Sequence, residues 1–243
     1  MKKYLIKYSL EFLVIVMGIS VSFWLSNYQE SIDNAEKEIQ VYNDLFNSVS
    51  SLYDEIEDRT LAFKFDLDII ENLLGLSDFN KYNYDDLMVA VIDWRGFDPN
   101  QETYSTLKEE GSLKYISSKE LKVNLEKFYG SEGGYIISNM EDDIIMQREI
   151  LKYLNYNHPI LVLRNNEYND ESLILNFKSV ANKDLTLKSL IKAKQRFMLN
   201  KYNGILEYDK VQKELKGQIK SELDKLNKPW IWENTYSNTL LNS

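Results

Sequence analysis

The chain has 243 residues, carries 29 Lys and Arg against 38 Asp and Glu for a formal net charge of −9, and contains no cysteine. The acidic balance, with no basic stripe interleaved by aromatics, argues against nucleic acid as a partner. The lack of Cys removes disulfides, thiolate nucleophiles and Cys-based metal sites. Nine Gly and three Pro over this length disfavour sandwiches, barrels and phosphate loops, and leave long helices as the expectation.

From Phe12 to Leu25 there is no charged residue, and residues 8–28 make a run of 21. At about 1.5 Å per residue that run spans roughly 30 Å, the thickness of a bilayer hydrocarbon core. Tyr4 and Tyr8 at one end, and Trp24 and Tyr28 at the other, suit interfacial aromatic belts. Lys2, Lys3 and Lys7 precede the run, whereas Glu30, Asp33, Glu36 and Glu38 follow it with a single Lys37. The positive-inside rule then places the N-terminus in the cytoplasm and the rest outside. Two other readings share these features: a cleaved signal peptide with Ser20 and Ser22 near its cleavage site, and a buried helix of a soluble protein. Glu11 inside the apolar region, and helical patterning that continues past it, favour an uncleaved anchor.

Glu11 is the odd residue of this segment. A carboxylate at mid-bilayer costs about 2.5–3.5 kcal/mol, and less near the edge. It either pairs or snorkels at the interface one turn from Lys7, or it faces another helix. Glu11, Ile15, Gly18, Ser22 and Leu25 follow 4-3-4-3 steps and share a face, and Gly18, Ser22 and Ser26 form a series of small residues that permits close helix approach. The residues expected to mediate helix association are therefore Glu11, Ile15, Gly18, Ser22 and Ser26. Those expected at the membrane interface are Lys7, Tyr8, Trp24, Tyr28, Trp230 and Trp232.

Beyond the span, Ile32, Ala35, Ile39, Tyr42, Phe46, Val49, Tyr53, Ile56, Thr60, Phe63, Leu67, Ile70 and Leu74 recur at alternating steps of three and four. This heptad seam, closed by Gly75, predicts one helix over 29–75 that reaches roughly 65 Å past the bilayer at about 1.5 Å per residue. Leu45, Leu52, Leu61 and Leu73 widen the apolar stripe, which favours packing in a bundle over an isolated coiled coil.

The middle section reads as shorter pieces. Residues 85–94 look helical, Pro99 suits a first helical turn, and 101–110 follow, closed by Gly111. Ser117-Ser118-Lys119-Glu120 forms a capping box before a helix that ends at Gly130, and Ser131 to Gly134 read as a linker. A helix is predicted over 135–155, ended by Asn157-His158-Pro159. Residues 160–164 suit a short strand or extended connector, and 172–180 a helix. The last long helix is predicted from 184 to about 226, with Leu187, Leu190, Ile191, Phe197, Ile205, Tyr208, Val211, Leu215, Ile219 and Leu223 on its apolar side.

The expected architecture is all-α. It comprises a cytoplasmic N-terminus (1–7), a transmembrane helix (8–28), a long membrane-proximal helix (29–75), a distal helical head (76–183), a long antiparallel return helix (184–228) and a Trp-containing tail (229–243). The return helix would bring Trp230 and Trp232 back to the membrane interface, or both rings would pack on the protein body.

Two stretches resemble a known family. Residues 11–30, with Glu11, Val16, Gly18, Ile19, Asn27 and Glu30, resemble the start of an uncharacterised family of small single-pass membrane proteins common in Bacteroidota. Tyr28 stands where that family usually has Trp. Residues 103–129 are similar to its Tyr-x-x-Leu-x-x-x-Gly-x-Leu-x-x-Ile core through Tyr104, Leu107, Gly111, Leu113, Ile116, Leu121 and Tyr129. The two stretches cover about a fifth of the chain. The resemblance implies a membrane anchor and an α-helical domain, and it supplies no catalytic residues.

Residues suited to chemistry are few. The single His158 sits before Pro159 in a turn and reads as a surface residue. Glu141-Asp142-Asp143 reads as a solvated helix face rather than a metal or acid–base pair. Gly130 to Gly134 has neither the preceding strand nor the following Lys-Ser/Thr of a phosphate loop. No enzyme, metal or cofactor is expected. The bilayer, and either a homo-oligomer or a partner membrane protein, are the expected partners. Two other functional classes fit the same layout: an extracytoplasmic ligand-sensing domain, and a membrane-perturbing oligomer in which Glu11 faces a pore.

Overall fold

The computed structural model describes residues 2–163 and 169–226, with side chains from residue 11 onward. The helical seam of the N-terminal third forms α1 (Lys2–Ser51) and α2 (Tyr53–Leu73). Only Leu52 separates them, and its φ and ψ of −77° and −13° remain helical. Ile56 N–H still donates to the Leu52 carbonyl at 2.9 Å, so the pair runs on as one rod. Gly75 ends it as the sequence predicts. At φ +70° it occupies the left-handed region, and Leu76 N–H reaches back to the Glu71 carbonyl (2.8 Å) while Gly75 N–H reaches Asn72 (3.1 Å). This paired closure satisfies carbonyls that a helix end otherwise leaves without partners.

The remaining helices are α3 (Tyr84–Ile92), α4 (Glu102–Glu109), α5 (Lys119–Glu126), α6 (Gly133–Asn157), the four-residue α7 (Pro159–Val162), α8 (Asp170–Lys183) and α9 (Leu185–Leu226). Among the described residues there is no strand, and the all-α expectation holds. The long α9 packs against α1, α2 and α6. Its direction is fixed by three cation–ring contacts: Lys201 over Phe63 (4.5 Å), Lys213 over Tyr53 (5.6 Å) and Lys216 over Phe46 (5.5 Å). Rising numbers on α9 meet falling numbers on the rod, so the two are antiparallel.

The core is in two parts. A near half, where α1 enters the bundle, gathers Val41, Tyr42, Leu45, Val49, Leu52 and Ile56 with Ile205, Tyr208, Leu215 and Ile219 of α9. A far half gathers Leu67, Ile70 and Leu73 with Leu87, Val91, Ile150, Leu154, Phe177, Leu187 and Ile191.

The middle section does not sit as one head at the far end. α3 and α8 pack in the far half, but Phe97, Leu107, Ile116, Leu121, Leu125, Phe128 and Tyr129 pack in the near half. The stripe on α1 is wider than α9 alone can cover, and this returning segment covers the remainder.

Several local expectations change for the same reason. Ser118 rather than Ser117 caps α5, accepting from Leu121 N–H at 3.3 Å, so the cap falls one residue later than the expected Ser117–Glu120 box and Glu120 is not placed to close it. The chain does not stop at Gly130, however. A wide π-turn (Lys127–Glu132) carries it into α6, because Phe128 and Tyr129 are buried in the near core. Pro99 lies outside α4, whose first amide is met by the Asn100 side chain (2.9 Å). Residues 159–162 form a helical turn rather than a strand.

Candidate functional site

Every residue from Glu11 to Lys37 is exposed, and the first buried one after them on α1 is Glu38. On this bare stalk the helix phase brings Ile15, Gly18, Ser22 and Ser26 together along one shallow groove, with Ile19 and Phe23 on its flanks. A Cβ placed on Gly18 would meet nothing within 4 Å. Ser22 Oγ donates to the Gly18 carbonyl at 2.9 Å, so its hydroxyl is satisfied within the helix and adds little polarity to the face. Glu11 lies at the N-terminal end of this stretch. Trp24 and Tyr28 stack at 5.7 Å with an interplanar angle of 12°, and Trp24 is 65% exposed. Lys7 and Tyr8 belong to α1, but their side chains lie outside the described part. Trp230 and Trp232 lie outside the described residues.

Where the stalk meets the bundle, the buried Glu38 carboxylate accepts from Tyr42 OH and from Ser117 N–H, both at 2.7 Å. Burial pushes the Tyr42 phenol up to about 12. Just outside, Lys37 and Lys114 flank the Tyr115 ring at 5.2 and 4.9 Å. The loop before α5 is thereby fastened to α1 at the point where the helix leaves the body.

A second cluster, unanticipated from the sequence, lies between the two core halves. Asp143 of α6 is fully buried, in contrast to its exposed neighbours Glu141 and Asp142. The expected solvated face therefore holds for two of the three acids only. Asp143 receives Lys194 Nζ at 3.0 Å on one oxygen and Lys201 Nζ at 2.5 Å on the other, and all three side chains are 1–2% exposed. On α2, the buried Asp66 receives Arg95 Nε at 3.2 and 3.0 Å. Gln147, one turn along α6 from Asp143, donates to the Asp93 carbonyl.

Burial acts on every charge in this layer. It would raise Asp143, but the two ammoniums outweigh it and hold the carboxyl below its usual range. Asp66 is raised by burial to about 6, against the opposing pull of Arg95, Lys201 and Lys194. Lys194, sharing one carboxylate with a second ammonium, is lowered by burial to about 8.

The signal for this layer was present in the seam of α9. Leu187, Ile191, Lys194, Met198, Lys201, Ile205, Tyr208, Gln212, Leu215 and Ile219 follow alternating steps of four and three, and all ten are buried. Reading only the apolar members of that seam hides its three polar positions.

His158 is also more engaged than a surface residue. Its Nε2 lies 2.6 Å from Asp184, which also accepts from Tyr153 OH (2.9 Å) and caps α9 through Thr186 and Leu187 N–H (2.9 and 3.0 Å). The bond to His158 and the capping amides hold Asp184 down to about 2. With its carboxylate committed to these partners, the group ties the end of α6 to the start of α9. Among the described residues no three His, Asp or Glu side chains converge as a metal set. Comparisons with known protein families, with curated proteins and with solved structures return no match.

Proposed function

We propose that the chain is a single-pass protein of a bacterial inner membrane, anchored by residues 8–28 with its N-terminus in the cytoplasm, that presents its helical bundle in the periplasm. It acts through association rather than catalysis. The observation that carries this reading is the bare stalk. Eleven large apolar side chains from Phe12 to Leu25 are exposed, on a segment long and apolar enough to cross a bilayer. Fully burying such a side chain is worth about 1.5–3 kcal/mol. Roughly 15–30 kcal/mol of transfer free energy is therefore available to an apolar medium, more than a typical domain's whole stability of about 5–15 kcal/mol. The Lys-rich start and the acidic residues after Tyr28 support this orientation.

Within lipid, apolar area no longer drives helix contact, and close packing of small residues does. The Gly18, Ser22 and Ser26 groove, with Glu11 on the same helix, is the face a second copy or a partner span would meet. The test is the oligomeric state of the full-length protein in detergent beside Glu11→Leu and Gly18→Leu variants. A defined wild-type oligomer that both substitutions dissociate is the expected result. Monomers in all three cases overturn the association. Because the chain has no cysteine, a single Cys at Ser31 reports the orientation, and labelling from the cytoplasmic side would overturn the topology.

A further inference from the structure

α9 carries the chain back to the membrane side of the bundle. Lys216 lies over the Phe46 ring at 5.5 Å, and Gln212 Nε2, one turn before it, donates to the Val49 carbonyl at 2.6 Å. The two antiparallel helices each advance about 1.5 Å per residue, so Leu226, ten residues past Lys216, comes level with about Glu36 of α1. Leu223 and Leu226 still pack on the near core, which fixes where the chain leaves the bundle. Glu36 is eight residues past Tyr28, about 12 Å along the rod, and lipid headgroups fill roughly the first 5–7 Å of that gap.

The sequence that follows is Asn227-Lys228-Pro229-Trp230-Ile231-Trp232-Glu233, with two of the chain's four tryptophans. Pro229 has no N–H to continue a helix, and an extended chain covers about 3.3 Å per residue. Trp230 is then within about 13 Å of Leu226 and Trp232 within about 20 Å, enough for both to reach the level of Trp24 and Tyr28. Three large apolar residues between a lysine and a glutamate are far too few to cross a bilayer, which takes about 20. They suit its surface, where an indole turns its apolar body to the acyl chains and its N–H to the headgroups. The protein offers them little else at this height. Among the described residues of the stalk between Glu30 and Lys37, Ile32 is the one large apolar side chain that is exposed. Val123 of α5 is exposed too, but its neighbour Asn124 bonds Gln218 at 2.7 Å, two turns before Leu226.

We propose that residues 228–233 are a second foot on the membrane: Trp230 and Trp232 seat among the lipid headgroups of the leaflet on the bundle's side, at the level of Trp24 and Tyr28, with Lys228 beside the phosphates. The placement rests on the membrane anchor of residues 8–28. The bundle is then held to the bilayer through both α1 and α9, and does not swing on the stalk alone.

The four tryptophans make the test direct. Trp24→Phe with Trp94→Phe leaves emission from the tail alone, and Trp94→Phe with Trp230→Phe and Trp232→Phe leaves Trp24 alone. Trp24 and Trp94 are both exposed, so substituting them leaves the core untouched. Each full-length protein is reconstituted into vesicles of phosphatidylethanolamine and phosphatidylglycerol, with and without bromine near the glycerol end of the acyl chains, where it quenches indoles that touch it. Brominated lipid is expected to remove most of the emission from both proteins. Unchanged emission from the tail-only protein, with Trp24 quenched, overturns the foot and leaves the anchor standing. Aqueous acrylamide then tells whether the tail rings lie in water or pack on the protein body, and either place is incompatible with the foot. Unchanged emission from both proteins overturns the foot together with the anchor.

Discussion

Replacing Asp143 by Ala withdraws the single carboxylate shared by Lys194 and Lys201 and leaves two ammoniums in a site that is 1–2% exposed. Breaking a buried pair by removing one partner costs about 3–5 kcal/mol. A loss of about 4 kcal/mol is therefore expected at pH 7, which corresponds to a Tm lower by roughly 10 °C for a domain of this size. Urea unfolding of the full-length protein in detergent, followed by far-ultraviolet dichroism, measures it. The deficit should shrink between pH 7 and 10, since depressed lysines favour the fold increasingly as pH rises towards 10.5. Removing all the charges together, as Asp143→Leu with Lys194→Met and Lys201→Met, should recover most of the loss. A cost below about 1 kcal/mol for Asp143→Ala, or a deficit that grows with pH, would refute this account.

Three further outcomes are expected. Gly75→Ala places a Cβ at φ +70° and should lower stability by about 1 kcal/mol without changing helix content; an unchanged urea midpoint would show that the left-handed closure is dispensable. Tyr42→Phe removes one of the two donors to the buried Glu38 carboxylate and should cost about 2 kcal/mol in the same assay, whereas a neutral result would mean that water replaces the phenol. Asp184, held near 2 by His158 and the capping amides, contributes stability that is present above its ordinary value of 3.8 and is lost as pH falls through about 2. Asp184→Asn should flatten the acid limb of stability between pH 4 and 2, and a limb as steep as in the wild type would assign acid sensitivity to other carboxylates.

Patterns that a single helix carries were readable in the sequence. The seam from Tyr42 to Leu74, the stop at Gly75 and a serine cap before α5 each depend on neighbours within a few residues, and each is found, the cap one residue later than expected. The destination of residues 97–132 depends on which face of α1 is left uncovered, and that is a property of two helices at once. Phe128 and Tyr129 illustrate this: a Gly-rich stretch that reads as a linker is held helical by the core those two rings enter. Asp143, Lys194 and Lys201 failed in another way. Their positions were correct for a buried seam and their chemistry was wrong for one, so a reading by hydropathy assigned Asp143 to solvent and passed over the two lysines. Only the convergence of α6 and α9 turns three awkward residues into a satisfied set. The stalk face is the converse case, since Gly18, Ser22 and Ser26 were picked out by spacing and lie along one groove.

The rod formed by α1 and α2 has no Pro or Gly between Ile19 and Leu74, and residues 11–37 of it are exposed rather than packed in the bundle. The azimuth of the bundle around the helix axis is consequently tied to the azimuth of the Glu11–Ser26 face. One residue inserted among 29–37 would turn one against the other by about 100° and lift the bundle by about 1.5 Å. Seven inserted residues would bring it back to within about 20° of its original heading while raising it by about 10 Å. The stalk therefore behaves as a torsional shaft as well as a spacer, and whatever the lower face grips decides which side of the bundle is turned towards its neighbours.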